Sequence, residues 1–170
     1  MTTTLYPNLN QGRNSIEIVD SRNTPLGIMD YGDVTRQRLI HRTVAVLLRD
    51  SIGRFLLSFQ AGSGWTFSSI APVPAGLSCE TCAINTLRKR WNLDTRIQPI
   101  GLYPPCVENQ QSFVAVFEAR LPTEMAAELT IELERHLLLD YDELKGLNTH
   151  FNDMLMPYMR IALQNGYIRP

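Results

Sequence analysis

Between Gly76 and Asn92 the residue order leaves little choice but a helix with one apolar side. Cys79, Cys82, Ala83, Leu87 and Trp91 recur at intervals of three and four, while Glu80, Asn85, Thr86, Arg88 and Lys89 occupy the opposite face. Asn92 supplies the stop, because asparagine tolerates the left-handed conformation of a C-terminal cap. A helix over about residues 77–91 is therefore expected to bury Cys79, Ala83 and Leu87 and to expose Asn85 and Lys89. Upstream, Thr43 to Leu48 is β-branched and aliphatic, and Asp50–Gly53 turns it into a second strand, Arg54 to Phe59. The two read as a central hairpin.

Other elements follow from shorter signals. Ile16 and Ile18 alternate with polar neighbours, then Ser21–Asn23–Pro25 turns the chain into Leu26–Met29, a further hairpin. Asp33 to Leu39 has helical spacing. Gly62–Gly64, Pro72, Pro74, Pro99–Gly101 and Pro104–Pro105 read as loops, Ser112–Ala119 and His136–Leu139 as strands. Asp140–Asp142 starts a helix containing Leu144 and Leu147, and Asn152 is placed to cap a last helix with Leu155, Tyr158, Ile161 and Ala162 inward. Residues 1–14 are expected to be a flexible N-terminal arm and 15–170 a single α/β domain.

Composition narrows the function classes. Apolar residues make up 44% and charged residues 19% of 170, the balance of one globular domain. With 16 basic and 17 acidic residues the formal net charge is -1, which gives no reason to expect nucleic acid or an anionic membrane as partner. No apolar run approaches the ~20 residues of a bilayer span. The N-terminus has no secretion signature, and three cysteines make no disulfide framework. The expectation is a cytoplasmic protein without a cofactor, with homo-oligomerisation left open.

At Leu39-Ile40-His41-Arg42-Thr43, then Gly53-Arg54-Phe55-Leu56-Leu57, Trp65 and a Gly76-Leu77-Ser78 helix start, the chain resembles the Nudix superfamily. His41-Arg42 and the hairpin at 16–29 resemble the subgroup near isopentenyl-diphosphate isomerases, and the likeness runs over roughly residues 15 to 165. It implies a three-layer α/β/α sandwich with a mixed central sheet and Mg²⁺-dependent chemistry on diphosphates. The family's box is a Gly, five residues, a Glu, seven residues, then Arg-Glu-apolar-x-Glu-Glu-x-Gly-apolar. With Gly76 and Leu87 as anchors, Ala71 stands for the opening Gly and Leu77 for the first Glu. Asn85-Thr86 replaces Arg-Glu, Lys89-Arg90 the paired glutamates, and Asn92 the closing Gly; Leu87 and Leu93 keep the apolar positions. Hard divalent cations need carboxylate oxygens, so the box is degenerate and no metal ligand is expected on this helix. The isomerase likeness at Trp65-Thr66-Phe67-Ser68 implies a reactive Cys where Ile70 stands and a metal-binding His where Pro72 stands.

Two readings of function remain. The first is a catalytically inactive module that binds a ligand or partner, such as a phosphorylated small molecule. The second is a divergent hydrolase of nucleotide- or isoprenoid-type diphosphates, for which Mg²⁺ would be required. Catalytic residues are unassigned. Candidate ligand contacts are His41, Arg42, Gln60, Trp65, Lys89, Arg90 and Glu108. Lys89 and Arg90 match phosphate oxygens, though a solvated helix end is the plainer reading. Trp65 suits stacking or a core lid, and Glu108 a pocket rim or a solvated loop. Cys79-Glu80-Thr81-Cys82 lies on the apolar stripe, where core packing outweighs a redox or zinc role.

Overall fold

The strand β3 (His41–Arg49) is buried without interruption from Thr43 to Leu48. A strand with no solvent face requires cover on both sides of its sheet. In the computed structural model, which describes residues 14–129 and 134–170, that is the arrangement. The expected arm lies outside the described residues apart from residue 14. Along its whole length β3 pairs in parallel with β8 (Ser112–Arg120), from His41 opposite Ser112 to Arg49 opposite Arg120. An antiparallel β7 (Ile97–Tyr103) continues the sheet beyond β8.

On its other side β3 divides its partners. It pairs with β6 (Ser69–Pro72) along Thr43–Val46 but with β4 (Phe55–Gln60) only at Leu48 and Arg49. The expected central hairpin is therefore a short clasp that splays open. Beyond the split β4 pairs with β5 (Gly64–Thr66) and with β9 (His136–Leu139). Ser68 sits in the fork: its hydroxyl accepts from Leu48 N at 2.8 Å and donates to Leu56 O at 2.6 Å, bridging the last pair before the strands part.

Two apolar clusters occupy the two faces. Val44, Val46, Leu48, Ala115 and Phe117 pack with α2 (Cys79–Trp91) and α3 (Thr123–Leu129). Ala45, Leu47, Val114 and Val116 pack with α4 (Tyr141–His150) and α5 (Pro157–Gln164). The alternation is the pleat itself, each strand sending successive residues to opposite layers. The result is the expected three-layer α/β/α sandwich with a mixed sheet. A separate hairpin of β1 (Ser15–Val19) and β2 (Pro25–Asp30) precedes α1 (Tyr31–Gln37).

The helix that dominates the sequence forms with its expected polarity. Ser78 caps it by accepting from Thr81 N, Asn92 closes it at φ 50°, and Cys82, Ala83 and Leu87 are buried. Asn85 and Lys89 are exposed. Cys79 departs from expectation by being half-buried, since the first helical residue reaches only the rim of the cluster. Three further readings need correction. The Gly62–Gly64 and Pro72 loops contain β5 and β6. Pro99–Gly101 lies inside β7, whose register shifts there and so accommodates a residue with no N–H. Asn152 opens a single 3₁₀ turn, and the last helix starts at Pro157, a residue whose fixed φ suits the first helical position. No helix among the described residues is long and apolar enough to cross a membrane.

Candidate functional site

The last turn of α2 concentrates Arg88, Lys89 and Arg90, where the helix dipole favours cations. The three are not equivalent. Arg88 is paired with Asp94 at 3.1 Å. Lys89 and Arg90 are exposed and have no carboxylate partner among the described residues. The Arg90 guanidinium carbon lies 5.5 Å from the centroid of the Trp91 ring. That indole is fixed, donating from Nε1 to Ser69 Oγ at 2.9 Å and Ser68 O at 3.2 Å. A prop of this kind reduces the entropy that a long cationic side chain loses on meeting an anion.

Thr86, one turn back, donates its hydroxyl to Cys82 O at 2.8 Å and is turned against its own helix. This face thus offers a hydroxyl, an ammonium and a guanidinium, none of which replaces carboxylate oxygen for a hard divalent cation. Among the described residues no three His, Cys, Asp or Glu side chains converge as a cation site. The donor set does not fit the Mg²⁺ that a Nudix box implies.

The other end of α2 lies beside the start of β3. Cys82 Sγ is 3.6 Å from Pro72 O, and Pro72 is opposite Thr43. With ~1.5 Å of rise per residue, Cys79 and Arg90 are roughly 17 Å apart along the helix. His41 and Arg42 therefore do not join Lys89 and Arg90 in one cluster. Arg42 is committed to architecture: it meets Glu17 Oε2 at 2.5 Å, Asn23 Oδ1 at 2.7 Å and Asn23 O at 2.7 Å, fastening the β1–β2 hairpin to β3. Trp65 is buried in the core with its ring centroid 5.1 Å from that of Phe59. Gln60 is exposed at the end of β4, and Glu108 is exposed in the turn before β8.

That turn is held by Asn109, which the sequence reading passed over. Its Oδ1 accepts from Cys106 N at 2.8 Å and Ser112 N at 3.0 Å, and its Nδ2 donates to Pro104 O at 2.9 Å. An Asn in a Pro-rich loop is a known local organiser, so the signal was present. Burial pushes the Cys82 thiol up to about 11 and raises that of Cys79 too, which leaves both as inert packing groups.

His41 is fully buried. Its Nδ1 donates to Leu39 O at 3.0 Å, and Nε2 is buried with no hydrogen-bond partner among the described residues. Burial lowers the imidazole pKa, partly opposed by the Leu39 carbonyl. Below the ordinary value of 6.5 the unfolded chain takes up a proton that the folded chain resists. The contribution to stability is complete above that pH and is lost as pH falls toward the depressed folded value, at up to about 1.4 kcal/mol per pH unit. His41→Gln is expected to flatten the fall in unfolding free energy as pH drops below 6.5. Parallel curves for the two proteins would mean that folded His41 titrates normally.

No protein-family model matches the sequence, and no curated protein matches it. Solved structures do. The crystal structure of DR0079 from Deinococcus radiodurans superposes with a TM-score of 0.71, covering 91% of this chain and 99% of that one at 16% identity. A solution structure of DR0079, described as a hypothetical Nudix protein, covers 65% of this chain and 70% of that one at 20% identity, with a TM-score of 0.45. The fold is of the Nudix type. At this identity the likeness concerns the fold, and function has to be argued from side chains.

Proposed function

We propose that this Nudix-fold chain is a binding module without Mg²⁺-dependent diphosphate hydrolysis, which takes a phosphorylated small molecule against Lys89 and Arg90. The observation that supports this reading is the exposed face of α2. It carries two cations without carboxylate partners among the described residues, one propped on a fixed indole, where the box implies carboxylates. Guanidinium and ammonium groups contact phosphate oxygens directly and need no bridging metal. Each charge-assisted contact contributes about 1.5–3 kcal/mol, so two shift affinity by about two orders of magnitude or more.

The test titrates phosphate-bearing ligands in chelator against wild type and the double variant Lys89→Ala, Arg90→Ala. Binding is expected to persist in chelator, to weaken with salt and to be lost in the variant. Equal binding by both proteins makes these residues a solvated helix end. Calorimetry with Mg²⁺ and Mn²⁺, with and without nucleotide, is expected to show no tight site on α2. Metal-dependent turnover in a screen of diphosphates, abolished by changes on α2, would establish the divergent hydrolase instead.

A further inference from the structure

On the sheet face away from α2, at the end of β3 and β8, three arginines stand side by side, two on β3 and β8 and the third immediately before β7. Arg49 is opposite Arg120 in the parallel β3–β8 pair. Ile97 is opposite Ala119 in the antiparallel β7–β8 pair, so one more step of that register brings Arg96 beside Arg120. Arg49 follows Leu47 by two residues, so it shares the face that Leu47 turns toward α5. Neighbouring strands are ~4.8 Å apart, so the row spans about 10 Å from Arg49 to Arg96 at the backbone. Like charges directly opposite each other across strands oppose pairing. A sequence that aligns three of them has either neutralised them or left them for something else.

The neutralisation is incomplete. Arg49 is engaged: it donates to Arg169 O at 3.0 Å, its guanidinium carbon lies 4.5 Å from the centroid of the Phe55 ring, and Glu118 is 3.9 Å away. Asp50, also at this groove, is occupied by Arg54 and by the amides of Ile52 and Arg54. The side chains of Arg96 and Arg120 are exposed and make neither ion pair nor hydrogen bond among the described residues. All three arginines line one open groove of about 490 Å³, together with Gln98 and Glu118. That volume is within the range of small-molecule sites.

We infer that this groove is a second ligand site, independent of α2, which holds a chain of phosphate oxyanions along the row Arg49–Arg120–Arg96. Guanidinium forks match phosphate oxygens bidentately, and an anion lying between Arg120 and Arg96 converts their repulsion into two attractions. The length of the row favours linked phosphates over a single one. Glu118 acts against the ligand, because its carboxylate shares the groove.

The experiment titrates inorganic tripolyphosphate, with orthophosphate as the length control, into the full chain in chelator, followed by calorimetry. Binding is expected without metal, weaker for orthophosphate and weaker as sodium chloride rises. Arg96→Gln with Arg120→Gln is expected to lose about a hundredfold or more in affinity, since two charge-assisted contacts go. The exposure of both side chains leaves folding intact, which a melting curve checks. Glu118→Gln is expected to tighten binding, a gain that non-specific loss of structure does not produce. In the Lys89→Ala, Arg90→Ala background, which removes any phosphate contact on α2, a tripolyphosphate site is expected to remain and to be weakened by the Arg96, Arg120 change by the same factor. Equal affinity of wild type and the Arg96, Arg120 variant overturns the inference, as does failure of wild type to bind at all. Disappearance of all tripolyphosphate binding in that background would assign the ligand to α2 and also overturn it.

Discussion

Gly64→Ala is expected to lower the unfolding free energy by about 3 kcal/mol or more, from backbone strain combined with a collision that cannot relax. Gly64 has φ +107°, where a side chain is strained whatever the space around it. A Cβ there would also lie 2.4 Å from Met154 O and 3.1 Å from Met154 C. Both are backbone atoms in the segment that pairs with β5, through the Trp65–Leu155 bridge and the bond from Met156 N to Trp65 O at 2.8 Å. Retreat of that segment would uncover Trp65 and Leu155 in the core. Gly62→Ala is the control: its φ is +76° and nothing lies within 4 Å of the added carbon. It carries the strain alone, about 1–2 kcal/mol. Denaturant midpoints for the two variants separate collision from strain. Equal midpoints would mean that β5 does not press on residues 154–156.

The parts of this fold legible in the sequence are those whose signal is local. The stripe of α2 and the Asn92 stop needed only a window of a few turns. Asp140 met its N3 partner as a capping box, with Glu143 N donating to Asp140 Oδ1 and Asp140 N to Glu143 Oε2. What stayed hidden depends on neighbours remote in the chain. Gly101 resembles a turn residue, but its role is to let the Tyr167 ring lie on β7, where a Cβ would be 2.4 Å from it. Arg42 looked free because Glu17 and Asn23 are far away in sequence. The basic end of α2 was legible, whereas the row Arg49–Arg120–Arg96 exists only once the register of β3, β8 and β7 is known.

Ser68 shows the same dependence at the centre of the sheet, and its removal is the other large expected effect. The hydroxyl is fully buried at the point where β3 and β4 part. There it serves Leu48 N–H and Leu56 C=O together. Ser68→Ala removes the side-chain partner of both buried groups and leaves them only each other, across the last pair before β3 and β4 splay. Each lost hydrogen bond costs about 0.5–1.5 kcal/mol and the buried gap adds to it, so a loss of about 2–3 kcal/mol is expected. Trp91 is not involved in that loss, because its Nε1 uses the Ser68 carbonyl and the Ser69 hydroxyl. Ser58→Ala is the matched comparison. Its hydroxyl donates to Ser68 O at 3.2 Å, an acceptor that keeps Trp91 as a donor when Ser58 is truncated. Nothing is left unpaired, and the expected loss is below about 1.5 kcal/mol. Urea unfolding of both variants, read by far-ultraviolet dichroism, measures the difference. Matching midpoints would show that the fork between β3 and β4 closes without Ser68, and that its hydroxyl is not what joins the two strands.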